Sequence, residues 1–208
     1  MHADIVELRA FYSTLTGRLA ERAIATALSL NWTPMADERL VGLGYCLPWL
    51  ERFGPDAERV LAFMPAGQGA VKWPAEGPCA TALVFEEDLP LADSSIDRLL
   101  MVHALEFAEN PRETLKEAWR VLSPGGRLVA VVPNRRGFWS RSERTPFGAG
   151  RPYSRGQMIA LLREAGFTPT GFAEALFFPP VSRRSILGAF ALIERAGRRF
   201  WPLFAGVN

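Results

Sequence analysis

Residues 89–134 read LPLADSSIDRLLMVHALEFAENPRETLKEAWRVLSPGGRLVAVVPN, and this stretch decides the fold. Ile96 and Leu99 to Val102 make a short apolar run of the kind a buried strand carries. Asn110-Pro111 opens a helix, with Glu113 in the first turn where the helix dipole favours an acid. Leu115, Ala118, Trp119 and Leu122 recur at helical spacing and leave the opposite face charged. Ser123-Pro124-Gly125-Gly126 ends that helix, because Pro cannot continue it and Gly tolerates a left-handed exit. Leu128 to Val132 is a second apolar, valine-rich run, closed by Pro133. Strand, helix and strand with short connections predict a right-handed βαβ unit of a parallel sheet.

Upstream, Asp4 to Leu30 carries Ile5, Leu8, Leu15, Leu19, Ile24 and Leu28 as an apolar stripe. It reads as a helical segment within residues 1–34 that Gly17 is expected to divide. Arg39 to Gly44 (RLVGLG) reads as a strand, followed by a turn and a helix from Pro48 to Phe53. Arg59 to Met64 and Thr81 to Phe85 are two further strands, and the Pro- and Gly-rich residues 65–78 between them read as a loop. Downstream, Arg155 to Gly166 is a helix capped by its glycine. Phe172 to Phe178 is a strand candidate, and a helix is expected over about 185–200.

Composition bounds the answer. The 208 residues, 49% hydrophobic and 22% charged, suit a single globular domain over 1–208. The net charge of +2 hides an asymmetry. Up to Asn134 there are 12 basic and 18 acidic residues, and beyond it 12 basic and 4 acidic. Cys46 and Cys79 form no CxxC pair and no His cluster accompanies them, so no metal site is expected. Reduced thiols, the lack of a secretory pattern at the N-terminus and the lack of a long apolar run lead us to expect a cytoplasmic protein without a membrane span.

The central stretch also carries a family likeness. Leu89-Pro90-Leu91, Ile96-Asp97, His103-Ala104-Leu105-Glu106, Glu117 and Arg120-Val121-Leu122-Ser123-Pro124-Gly125-Gly126-Arg127-Leu128 occur in an order that resembles the fourth strand, helix and fifth strand of class I S-adenosylmethionine (SAM)-dependent methyltransferases of the type 11 kind. The resemblance implies a three-layer, Rossmann-like α/β sandwich. Its mostly parallel sheet would have helices on both faces and a seventh strand that is short or missing within Leu203 to Asn208.

It also implies a cofactor, SAM, over the carboxyl ends of the strands. Gly42, Gly44 and Tyr45 fall in the family's first loop, Met64 and Pro65 at the end of its second strand, and Glu86 and Glu87 after its third. The family's motifs are altered here. Gly42 stands where an acid is usual, Cys46 and Pro48 replace two loop glycines, Met64 replaces the carboxylate that accepts from the ribose hydroxyls, and Phe85 replaces a further acid. A thioether cannot accept two hydroxyl protons as a carboxylate does. His103, at the end of the fourth strand, is the candidate for proton transfer and lies against the expected cofactor.

Residues 135–155 form a long segment in which Arg135, Arg136, Arg141, Arg144, Arg151 and Arg155 interleave with Phe138, Trp139, Phe147 and Tyr153. A loop over the active-site edge is one reading, matched to an acidic or phosphate-bearing small molecule. A nucleic-acid contact is another, since arginine pairs with phosphate and aromatics stack on bases. Three functions stay open: methyl transfer from SAM to an unidentified acceptor, a methyltransferase-like scaffold without catalysis, and an RNA-binding or RNA-modifying protein. The acceptor and the oligomeric state are not written in the sequence.

Overall fold

The computed structural model describes residues 4–30, 32 and 36–180. Its centre is a five-stranded sheet with every pair parallel. The strands are β1 (Arg39–Gly44), β2 (Arg59–Pro65), β3 (Thr81–Val84), β4 (Ile96–Val102) and β5 (Leu122–Val131), in the order β3-β2-β1-β4-β5. β1 and β4 lie at the middle, buried by neighbours on both sides, which explains their nearly unbroken apolar runs. Helices cover both faces. Against one face pack α1 (Ile5–Ser13), α2 (Leu15–Ser29) and α3 (Leu47–Phe53), joined to Leu40, Ala62, Met64, Leu100, Val102 and Val131. Against the other pack α4 (Pro111–Val121) and α6 (Arg155–Glu164), joined to Val41, Leu43, Phe63, Leu99 and Met101. The alternation of strand residues between two cores is the period-two rule at work.

The βαβ unit of residues 89–134 is present. Ser123-Pro124-Gly125-Gly126 does more than stop α4. The chain is already extended from Leu122, which pairs with Ile96, and the register then jumps so that Arg127 pairs with Arg98. The four residues therefore bulge out of β5, with Gly125 at φ +83. Two other motif residues clamp the unit. Glu117 Oε1 accepts from the Leu89 N–H at 2.7 Å, and Arg120 donates to Glu117, Asp93 and the carbonyls of Leu89 and Leu91.

Two sequence expectations need correction. The helical segment breaks at Thr14, not at Gly17. Thr14 closes α1 and caps α2 by accepting from the Gly17 N–H at 3.0 Å. Gly17 sits inside α2, where a Cβ would lie 2.1 Å from the Phe11 carbonyl, so it allows the two helices to touch. No strand is assigned over residues 172–178. Leu176 takes a left-handed φ of 63, which interrupts an extended run, while Phe172 is held under the Arg155 guanidinium at 4.4 Å. The expected helix over 185–200 and the seventh strand at Leu203 to Asn208 lie outside the described residues.

The amino edge of the sheet is fixed by charge. Arg39 donates through its backbone N–H, Nε and a terminal nitrogen to Asp97, which also accepts from Ser123 Oγ. The Arg39 hydrogen bond leads the causes that hold the Asp97 carboxyl down at about 2. A depressed carboxyl stabilises the fold above its unfolded value, about 4, and that contribution is lost as pH falls through about 2. Wild type is therefore expected to be more stable than Asp97→Asn at pH 6 by urea denaturation, with the gap closing between about pH 4 and about pH 2.

Candidate active site

The carboxyl edge is organised around side-chain hydrogen bonds. It is closed by a buried chain of polar groups. His103 is the first residue past β4 and turns with φ 54, an uncommon left-handed conformation for a residue with a side chain. Its carbonyl accepts from Gln68 Nε2 at 2.7 Å. The following residues curl back, the Phe107 and Ala108 N–H groups donating to the Ala104 carbonyl. That turn brings Glu106 Oε1 to 2.9 Å from His103 Nδ1. On the other side the Tyr12 hydroxyl of α1 lies 2.8 Å from His103 Nε2. The His103 side chain is fully buried and that of Glu106 is 1% exposed.

Burial first, and then the Glu106 carboxylate, push the Tyr12 phenol well above its ordinary range. Its proton therefore stays on oxygen, and the phenol can donate to Nε2. The ring proton then sits on Nδ1 and serves Glu106. This assignment follows from the hydrogen-bond pattern.

Rings surround the chain of polar groups. Tyr12 stacks on Tyr45 at 5.3 Å and meets Trp49 edge-on at 5.4 Å. Phe147 lies 4.8 Å from the His103 ring, and Trp139 packs against Phe147 at 5.4 Å. Two buried oxygens, Gln68 Oε1 and Glu106 Oε2, have no hydrogen-bond partner among the described residues. Such atoms cost about 1–3 kcal/mol each when left unpaired, so they mark places where a donor would be welcome.

The predicted site residues divide into two groups. Gly44, Tyr45 and His103 come together: Gly44 pairs with Val102 across β1 and β4, and Tyr45 follows it. Gly44 has φ +91, and a Cβ there would fall 2.3 Å from the Val102 carbonyl, so only glycine fits. Met64 and Pro65 end the neighbouring strand and are buried, with the Val71 N–H donating to Met64 Sδ at 3.4 Å. Gly42 faces α3. A Cβ on it would lie 2.6 Å from the Cys46 Cβ and 2.8 Å from a Leu50 methyl, so it lets α3 pack on the sheet. Cys46 itself is buried and its thiol is bonded to the carbonyls of Leu43 and Leu100. Burial pushes that thiol up.

Glu86 and Glu87 stand apart in the turn after β3, half-buried and exposed, while Phe85 is 73% exposed and fills nothing. In residues 135–155, Trp139 and Phe147 are buried against His103's surroundings while the six arginines stay exposed. The sequence reading missed Tyr12, Gln68 and Glu106 as site members. Glu106, three residues after His103 in the quoted motif, was the one available signal; Tyr12 and Gln68 reach the site only through tertiary contacts.

Among the described residues no His, Cys, Asp and Glu cluster could hold a metal, and no helix is long and apolar enough to cross a membrane. Comparison with known proteins sets these details in a family. The model of a methyltransferase domain matches residues 41–130. An uncharacterized protein of Methanocaldococcus jannaschii is 28% identical over 144 residues, 66% of each chain. An S-adenosylmethionine-dependent methyltransferase of Mycolicibacterium smegmatis is 33% identical over 82 residues, which are 38% of this chain. The chain thus spans 66% and 32% of the lengths of these two relatives. Among solved structures, a SAM-dependent methyltransferase of Thermotoga maritima superposes with a TM-score of 0.66 at 22% identity, covering 86% of both chains, which is a likeness of fold. Residues 41–130 thus match a methyltransferase domain, and the parallel sheet around them has the fold of solved S-adenosylmethionine-dependent methyltransferases.

Proposed function

We propose that the protein transfers a methyl group from S-adenosylmethionine to an acceptor in the crevice over Gly44, with His103 accepting the proton that the acceptor gives up. The observation that carries this reading is the buried Tyr12–His103–Glu106 chain at the carboxyl end of β4. Open parallel sheets bind their ligands at that edge. An imidazole backed by a carboxylate is the usual arrangement of a group that takes a proton and is steadied while it holds one.

The residues at this edge fit the two ends of the cofactor unequally. Tyr12, Tyr45 and His103 are all closed to solvent, so an adenosyl group reaches Gly44 only when α1 moves. With α1 lifted, the methionyl end is well provided. The Gly44 turn brings backbone close, and the partnerless Glu106 Oε2 and Gln68 Oε1 are acceptors for a protonated amino group. The ribose end is less well provided, since Met64 and Pro65 replace a carboxylate, and Glu86 and Glu87 follow the end of the neighbouring strand β3. We assign Gly44, Tyr45, Gln68 and Glu106 to the methionyl part and Glu86 and Glu87 to the sugar. When bound, the cofactor supplies an electrophilic methyl carbon. The protein's own work is to orient the acceptor, exclude water and hold its proton at His103 Nε2.

Three outcomes test this. Calorimetry with S-adenosylhomocysteine should give a measurable heat; no heat and no thermal shift at millimolar ligand would remove the reading. Glu86→Gln and Glu87→Gln should each weaken that binding by about 2- to 13-fold, the worth of one hydrogen bond. Tyr12→Phe keeps the packing but leaves the buried His103 Nε2 without its partner, so unfolding in urea should come earlier by about 1–3 kcal/mol.

A further inference from the structure

The Tyr12 ring occupies a slot with unusual completeness for a packing residue. A flat wall, Tyr45, lies parallel to it at an interplanar angle of 12°. A second wall, Trp49, stands perpendicular at 87°. At the far end its hydroxyl meets a nitrogen whose ring is held from behind by a carboxylate. We propose that Tyr12 keeps the place of the methyl acceptor, and that the acceptor is a small hydroxyaromatic molecule whose phenolic oxygen takes the methyl group. This rests on the methyltransferase reading and narrows it to a substrate class.

Several observations support the assignment. α1 is a short cover: only Ile5, Leu8 and Tyr12 of its nine residues are buried. It is joined to α2 through Thr14, an extended single-residue joint with ψ 163, and its first N–H is tied to the Gln68 carbonyl at 2.8 Å. Withdrawal of the helix takes Tyr12 with it and leaves a slot the size and shape of a phenol. The partnerless oxygens of Glu106 and Gln68 lie on residues bonded to His103, which is how a site looks when part of its ligand set is missing.

The chemistry of the slot selects among acceptors. A carboxylate acceptor carries no proton for His103 and would face the Glu106 charge. An aliphatic alcohol or amine has no ring to stack on Tyr45 or to meet the edge of Trp49. A phenol gains ring stacking, edge contact and a proton acceptor together. In the transfer, the phenolic oxygen forms its bond to the methyl carbon. The carbon–sulfur bond breaks with its electron pair returning to sulfur, which becomes a neutral thioether. The phenolic proton passes to His103 Nε2, the imidazolium is held by Glu106, and the proton reaches solvent when α1 opens.

The test uses the full chain carrying Tyr12→Ala, with p-cresol, the tyrosine side chain itself, as probe and toluene as the control without a hydroxyl. At ten times its Kd, p-cresol should raise the melting temperature of Tyr12→Ala by about 3 °C, with a smaller rise from toluene and none in wild type. Equal shifts from the two probes, or no shift from p-cresol, would overturn the proposal. Should Tyr12→Ala fail to fold, saturation-transfer NMR on wild type with excess S-adenosylhomocysteine decides. Transfer to p-cresol and not to toluene supports the slot, and no transfer to p-cresol overturns it. In Tyr12→Ala the probes are read without cofactor, and cofactor binding is read separately by calorimetry, so p-cresol binding without cofactor binding would leave the slot and remove the methyltransferase reading. Cofactor binding without p-cresol would remove only the substrate class.

Discussion

A histidine buried completely at the open rim of a parallel sheet must have both ring nitrogens served, and the upper half of this structure follows from that requirement. β4 delivers His103 into the interior with a left-handed turn. Glu106 reaches back to one nitrogen and Tyr12 reaches down to the other. For Tyr12 to do so, α1 must lie across the carboxyl ends of β1 and β4. Its neighbour Phe11 and the segment at 139–147 then close the gap with rings. A polar chain inside an aromatic box is strong while intact, and costly if any one partner is removed.

The two rims of the sheet solve the same burial problem differently. At the amino rim, Arg39–Asp97 and Arg98–Glu38 are fork-shaped ion pairs, with Arg98 buried and placed over Trp32 at 5.9 Å. Each carboxylate there accepts from both the Nε and a terminal nitrogen of its arginine. At the carboxyl rim the cover is the short helix α1 with the rings of the 139–147 segment, and two oxygens lack partners among the described residues. Ile5, Leu8 and Tyr12 together are worth on the order of 5–9 kcal/mol of burial at about 1.5–3 kcal/mol each, an upper figure. A micromolar ligand supplies about 8 kcal/mol. Opening is thus within reach of a ligand that re-covers the exposed rings, and out of reach of one that does not.

Much of the frame was legible because local rules and tertiary structure agree there. β1 begins and ends at Arg39 and Gly44 as the apolar run implied, and α4 begins at Pro111, where proline and the acidic first turn placed it. Glu117 and Arg120 belong to the motif that carried the family likeness, and they act as struts for the 89–93 segment. The site was less legible, for physical reasons. Gly42 reads as a cofactor glycine, yet its lack of a side chain serves α3. Tyr12 lies one turn past Leu8 on the face that α1 buries, and no local pattern links it to the site. Only the fold brings it, 91 positions away in sequence, against His103. The break at Thr14 was hidden because a Thr cap and a glycine three residues on are both legitimate helix punctuation, and the closeness of α1 to α2 decides between them.

The central claim is that the Tyr12–His103 bond closes the crevice into which the cofactor must come. A crystal structure of the protein grown with S-adenosylhomocysteine tests it directly. The account predicts the thioether over Gly44 with the Tyr12 hydroxyl withdrawn from His103 Nε2. Ligand bound elsewhere, with the 2.8 Å contact between Tyr12 and His103 still in place, would contradict it.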